Sequence, residues 1–253
     1  MVDAWIWPAA LGLLGLVFGS FIATLAIRWP EGRSSLVGRS ACDGCGRTLR
    51  AIELVPLASF VAQRGRCRSC GASIAPSHLV VELLGLAIGV ASGLAAPGLP
   101  AIAGAVFGWL LLTLAAIDLR AFWLPNPLTA ALALLGLGTG LLGIPPSLPD
   151  RLIGGAAGFA ALWLVATAYH RLCGRVGLGG GDPKLFGAIG LWLGWHALPM
   201  VLLLACLLGL AVVLVTRILG RPLAATDRLP LGTLLAPAAF LLWLVAMTAI
   251  KVG

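Results

Sequence analysis

Charge is what this chain lacks. Only 10% of its 253 residues are Asp, Glu, Lys or Arg, where a soluble domain carries about 25%. A chain so poor in charge cannot dress a water-facing surface, which excludes an ordinary soluble globule. Alternation of apolar and polar residues is also missing. The hydrophobic residues come in unbroken runs, which excludes a membrane β-barrel, whose strands alternate. No basic stretch precedes the first apolar run, its positive charge (Arg28) follows that run, and no clear small-x-small site ends it. The segment therefore reads as a retained anchor with its N-terminus outside, not as a cleaved signal peptide. No glycine-rich dinucleotide fingerprint occurs, so no separate nucleotide domain is expected. No convincing internal repeat occurs either, and such symmetry is what a transporter would show. The three histidines, His78, His170 and His196, do not cluster. They read as interfacial packing residues, not ligands.

What is present is apolar length. Hydrophobic residues make up 60% of the chain, and the mean hydropathy is +1.05. The expected fold is all-α: a polytopic membrane protein of about eight transmembrane helices with a small cytosolic zinc-binding insert. The spans fall near 5–27, 79–96, 100–117, 127–144, 151–170, 183–196, 198–219 and 230–250, with the sixth the shortest. With the N-terminus outside, all the basic residues except Arg151 and Lys251 fall in inner loops, as the positive-inside rule requires. The formal charge of +8 is thus accounted for by a lipid bilayer, and no nucleic-acid partner is expected. Gly85 and Gly89, Gly104 and Gly108, Gly136 and Gly140, and Gly154 and Gly158 recur at a spacing that lets helices approach closely in lipid.

One long polar segment interrupts the runs, residues 28–78. It holds "CDGCGRTL" and "CRSCGASI". Cys42 and Cys45 form one C-x-x-C, Cys67 and Cys70 the other, and Gly46 or Gly71 follows each at the tight turn that aims two thiolates at one point. Two such knuckles match a tetrahedral four-cysteine zinc site. The alternative, two disulfides, is disfavoured in the cytosol, where the topology puts the loop. Four protein ligands leave no open coordination position, so the metal is structural, a staple for a segment too short to build much core. Cys173 and Cys206 read as packing residues.

Of the nine acids, Asp3, Glu31, Asp43, Glu53, Asp150 and Asp227 lie in loops or tails and are expected to be solvated. Glu82 lies just inside the second span. Asp118 closes the third span and Asp182 opens the sixth, in "GLGGGDPKLF". Two spans separate them, so antiparallel helices return both to one face. One bland reading is a pair of unrelated interfacial charges. The other is a catalytic pair. Two carboxylates in reach of each other cannot easily both ionise; the charged one accepts a proton from water and the neutral one polarises a peptide carbonyl. Gly179, Gly180 and Gly181 then leave room for a substrate strand beside Asp182. Lys184 either favours the ionised form of Asp182 or snorkels to the surface. Residues alone leave three classes open: a peptidase, an ion-coupled transporter, and an assembly factor that docks a partner through the zinc loop.

These residues resemble the G-x-G-D intramembrane-type aspartyl proteases, and with Lys184 the G-x-G-D-x-K form of the bacterial type IV prepilin peptidases. "FGSFIATLAIR", "CDGCGRTL", "ELVPLASF", "RGRCRSCGASI" and "VVELLG" are similar to the first span and zinc-bearing region of that family's bifunctional branch, in the same order. The resemblance implies an inner-membrane enzyme that cuts prepilin or pseudopilin leaders on the cytosolic side after a Gly. It implies that the new terminus, usually Phe, is then methylated from S-adenosylmethionine. Asp118 and Asp182 match the catalytic pair, and Glu53 and Glu82 fall in the part associated with methylation. The implied division is 1–27, a first transmembrane helix; 28–78, the zinc domain; and 79–253, the protease domain. The chain departs from the family pattern at Ala23, where Asn is usual, at Ser77-His78-Leu79, where Arg-Tyr-Pro is common, and at Pro125-Asn126, where Pro-Asp is frequent.

Overall fold

The computed structural model describes residues 3–34, 39–42, 44–175, 177–220 and 228–252. Asp43, Arg221, Asp227 and the side chain of Asp3 lie outside what is described. Eight long or medium helices stand where eight spans were expected: α1 (Asp3–Arg28), α3 (Pro76–Ala95), α4 (Leu99–Ala121), α5 (Asn126–Leu141), α6 (Leu148–Cys173), α7 (Asp182–Leu193), α8 (Leu198–Ile218) and α9 (Leu231–Val252). A short helix α2 (Ala58–Ala62) and a 3₁₀ turn (Ala51–Leu54) lie in the polar insert. The main chain of an apolar run has to satisfy its own hydrogen bonds in lipid, and a helix does so. Proline sets several starts: Pro76, Pro127, Pro149, Pro183 and Pro199 occupy first turns, where a missing N–H is harmless. Gly174, in the left-handed conformation, ends α6.

Six helices are long and apolar enough to cross a membrane among the described residues. The other two are short. Helix α5 has 16 residues and α7 only 12, about 24 and 18 Å at 1.5 Å per residue, against a hydrocarbon core of about 30 Å. Helix α7 is instead enclosed by protein: nearly every residue from Asp182 to Leu193 is buried.

The chain forms two compact units, Met1–Ala116 and Ile117–Gly253. In the first, α1 packs on α3 along a seam of glycines. A Cβ on Gly15 or Gly85 would run into the facing main chain, and one on Gly19 would lie 2.7 Å from Glu82 Cα. Leu11, Ile22, Ala23, Val81, Ala101, Ala105 and Trp109 make its core, and Trp109 Nε1 donates to Gly85 O at 3.0 Å.

In the second unit, α7 lies against α6 and α5. A Cβ on Gly154 would be 2.6 Å from Gly190 O, so the two helices touch main chain to main chain. Trp192 Nε1 donates to Leu132 O at 2.7 Å and ties α7 to α5. Arg151, expected in an outer loop, is instead 1% exposed. Its Nε donates to Pro146 O (3.0 Å), Nη1 to Gly136 O (2.9 Å) and Leu191 O (2.8 Å), and Nη2 to Ile144 O (2.9 Å) and Pro145 O (3.0 Å). Those are all five guanidinium N–H groups. They tie the α5–α6 connection to the far end of α7. Asp150, expected to be solvated, accepts from Ser147 Oγ at 2.5 Å and Trp195 Nε1 at 3.1 Å at the start of α6.

Replacing Arg151 by Met keeps much of the length but strips five carbonyls, all buried or part-buried, of their donor. The expected loss is about 3 kcal/mol or more, read as a lower midpoint for thermal unfolding in detergent. Arg151→Lys falls well short of rescue, because an ammonium has three donors and no planar fork. A midpoint unchanged in both variants would refute this role for Arg151.

Candidate active site and metal centre

The two acids singled out in the sequence are brought together. Asp118, in the last turns of α4, is 5% exposed, and Asp182, the first residue of α7, is 7% exposed. The charge of Asp118 acts on Asp182. Leu124 lies beside glycines next to both acids: a Cβ on Gly181, which precedes Asp182, would lie 2.8 Å from Leu124 Cβ, and a Cβ on Gly232 would lie 2.9 Å from Asp118 Oδ2 and 3.2 Å from Leu124 Cδ2. Two carboxylates in a dry wall of leucine share the constraint that ionising one makes ionising the other harder.

Each acid is oriented by main chain. Asp182 Oδ2 accepts the Gly179 N–H at 2.9 Å, which folds the glycine loop back over its own acid. Asp118 Oδ2 accepts the Thr233 N–H at 3.0 Å, with Thr233 Oγ1 at 3.4 Å, at the first turn of α9. The three glycines differ. A side chain at 179 would press on Asp182 Oδ2 (3.1 Å) and one at 181 would strike Leu124, whereas Gly180 faces open space. Room for a substrate is therefore clearest at Gly180; Gly179 and Gly181 are bare because the acid and Leu124 occupy the space beside them. Lys184 does not point at Asp182: its Nζ donates to Asn126 Oδ1 at 2.9 Å. Gly232, Thr233 and Leu124 were not singled out in the sequence, and Asn126 only as a departure from the family pattern. Their contacts cross between elements far apart in the chain, and "PLGTLL" is ordinary for a span start. Only the glycine at its head offered a hint.

The four cysteines converge as expected. The Sγ atoms of Cys42, Cys45, Cys67 and Cys70 all lie within 4.8 Å of one another, so the cluster can hold a metal ion. A tetrahedral ion with metal–sulfur bonds of about 2.3 Å sets its sulfurs about 3.8 Å apart, and Cys42 Sγ and Cys70 Sγ stand at 3.8 Å. The two knuckles repeat one design. Cys42 N–H donates to Arg47 O and Gly46 N–H to Cys42 O; Cys67 N–H donates to Ala72 O and Gly71 N–H to Cys67 O. Gly46 and Gly71 have φ of 70° and 71°, a conformation glycine reaches without strain. Without a metal the cluster shares its protons unevenly: the Cys70 and Ser69 N–H groups draw the Cys67 thiol down to about 6, while the neighbouring sulfurs and burial push Cys70 up to about 11.

Glu53, expected to be solvated, is buried. Its Oε1 accepts from Arg47 Nη2 at 2.6 Å and its Oε2 from the Arg50 N–H at 2.8 Å. The Arg50 N–H, then the Arg47 guanidinium, hold its carboxyl below the usual carboxylate range. Glu82 Oε2 accepts the Leu57 N–H at 2.8 Å, at a residue with φ of 57°, so the insert is anchored on α3 at a constrained turn. The His196 ring is tilted against Trp195, with ring centres 3.7 Å apart. Cys173 and Cys206 are exposed in the chain, which corrects the reading of both as packed inside. Each lies on a long helix whose outer face lipid can cover.

Residues 13–95 match the model of the bacterial peptidase A24 N-terminal domain, and residues 105–214 that of the type IV leader peptidase family. The chain is 38% identical over 266 residues to a protein of Aeromonas hydrophila named prepilin leader peptidase/N-methyltransferase, covering 94% of this chain and 91% of that one. It is 39% identical over 251 residues to one of the same name from Burkholderia pseudomallei (strain K96243), covering 88% and 81%. A third, from Pectobacterium carotovorum subsp. carotovorum, is 36% identical over 259 residues, covering 92% of each. No solved structure matches the chain.

Elemental analysis of purified protein is expected to find about one transition-metal ion per chain, as a four-thiolate site implies. Cys67→Ser lowers that occupancy, and with it the resistance of the insert to proteolysis. Full occupancy after loss of Cys67 would place the ion elsewhere.

Proposed function

Because the chain belongs to the type IV leader peptidase family, we propose that Asp118 and Asp182 are the acid pair with which it cuts the leader from type IV prepilins or pseudopilins after a Gly. It is an inner-membrane, multi-pass aspartic endopeptidase and an N-methyltransferase of the new N-terminal residue, usually Phe. Family membership sets aside the transporter and docking-factor readings. The observation that carries the acid pair is its placement: two buried carboxylates against one leucine wall, each oriented by a main-chain N–H.

Hydrolysis needs one carboxylate and one carboxylic acid. The water oxygen bonds to the scissile carbonyl carbon as one water proton passes to the charged acid. The neutral acid gives its proton to the carbonyl oxygen. On collapse that proton returns, the carbonyl re-forms, the C–N bond breaks, and the leaving nitrogen takes the proton held by the first acid. Both acids end as they began. Gly180 is where an extended substrate main chain lies against the loop.

The N-terminus lies in the periplasm, and the insert and both acids lie at the cytosolic face. The distribution of basic residues supports this; of its two exceptions, Arg151 is buried among carbonyls, not displayed in a loop, and Lys251 lies in the last turn of α9. Lipid, with no nucleic acid, accounts for the positive charge.

The four cysteines hold zinc as a structural ion. The division into a first transmembrane helix (1–27), a zinc domain (28–78) and a protease domain (79–253) follows the same reading. Bound S-adenosylmethionine supplies the methyl group. Both oxygens of Glu53 are engaged within the insert and Glu82 Oε2 holds the Leu57 N–H. We therefore assign these two acids to shaping the methylation region, and route no step of methyl transfer through them.

Asp118→Asn and Asp182→Asn are each expected to lower cleavage of a Gly-Phe prepilin peptide by about 10³-fold or more, with the protein still in the membrane. Mass spectrometry with S-adenosylmethionine should show about 14 Da added to the mature product, one methyl for one hydrogen. Full cleavage by either variant would overturn the acid-pair assignment.

A further inference from the structure

The two acids are not held alike. On Asp182, the Gly179 N–H reaches Oδ2. On Asp118, the Thr233 N–H and, at longer range, the Thr233 hydroxyl reach Oδ2, and the Gly232 N–H acts on the same carboxylate. These donors belong to the first turn of α9, a helix of 22 residues, whose unpaired N–H groups carry partial positive charge. Donors that hydrogen-bond a carboxylate favour its charged form. Both Thr233 donors reach the same oxygen, Oδ2. Gly232 is part of the arrangement, since a Cβ there would lie 2.9 Å from Asp118 Oδ2.

From this asymmetry, and resting on the acid-pair reading above, we infer that Thr233 is a positioning residue that keeps Asp118 as the ionised member of the pair. Asp118 is thereby the base that takes the proton of water, and Asp182 the proton-bearing partner that polarises the carbonyl. Around Asp118, helix α7 brings Asp182 and the apolar Leu185, α9 brings Gly232 and Thr233, and the stretch after α4 brings Leu124. The charged neighbours along the chain are Arg120 on α4 and Lys184 on α7, and Lys184 is bonded to Asn126.

The test is the pH dependence of prepilin-peptide cleavage by the full chain in detergent, with kcat and KM measured separately. Thr233→Val removes the hydroxyl at nearly constant shape. It should lower kcat about three- to tenfold, as loss of one weak bond to a charged group implies, with KM unchanged. The acid limb of the kcat profile should move to higher pH by about half a unit to one unit, and the alkaline limb should stay. Thr233→Ser restores both kcat and the limb. Thr233→Ala, smaller and without the hydroxyl, repeats the shift if the valine variant folds poorly.

A rate that falls equally at all pH values, or a profile that superimposes on the parent's, would show Thr233 to be merely structural. Movement of the alkaline limb in place of the acid limb would reverse the two roles. Failure of the acid-pair reading is a separate result: there Asp118→Asn or Asp182→Asn would still cleave, whatever Thr233 does.

Discussion

The main-chain contact between Gly154 and Gly190 positions much of the second unit. In lipid, apolar side chains gain nothing by leaving one apolar neighbour for another, so helices associate where they fit closely. The two glycines let α6 and α7 meet without side chains between them. This allows a helix of 12 residues to be enclosed by its neighbours. Arg151 then reaches Leu191 O at the far end of α7 and the carbonyls of the α5–α6 connection. A buried guanidinium without these acceptors would be costly. With them it is a joint that sets one end of α7, and with it the place of the acid at the other.

That acid is useful because its surroundings are dry and its orientation is not its own. Asp182 is folded over by the glycine loop before it, and Asp118 is met by the start of a helix more than a hundred residues later. The loop glycines are bare for unlike reasons: one bonds the acid, one makes way for Leu124, and one opens to space. A glycine run thus combines a rigid support with an entrance. Asp118 accepts from the Thr233 N–H and hydroxyl and Asp182 from the Gly179 N–H, and donors to a carboxylate favour its charged form.

The polar insert follows another physical rule. Among its described residues Cys67 alone is a buried hydrophobic residue, so its order comes from thiolates and from acids turned inward. Glu53 links the first knuckle, through Arg47, to the turn at Arg50, and Glu82 reaches from α3 to the Leu57 N–H. Both interactions join residues of the insert or its flank that the sequence shows only as scattered charges.

Much was legible before any fold was known. Continuous apolar runs have one solution in a bilayer, so the helices appear within a few residues of the expected spans. Two C-x-x-C pairs with following glycines have few geometric solutions, and their sulfurs converge. The proximity of Asp118 and Asp182 followed from counting antiparallel spans. What only the tertiary structure decided was partnership. It turned Arg151 from a loop charge into a buried joint, Glu53 from a solvated acid into a strut, and Lys184 toward Asn126. It also brought Gly232 and Thr233 to Asp118. Hydrophobic length and ligand spacing are local properties, carried by neighbouring residues and readable in order. A hydrogen bond between distant segments depends on how helices pack, and packing is settled by the contacts of the whole chain.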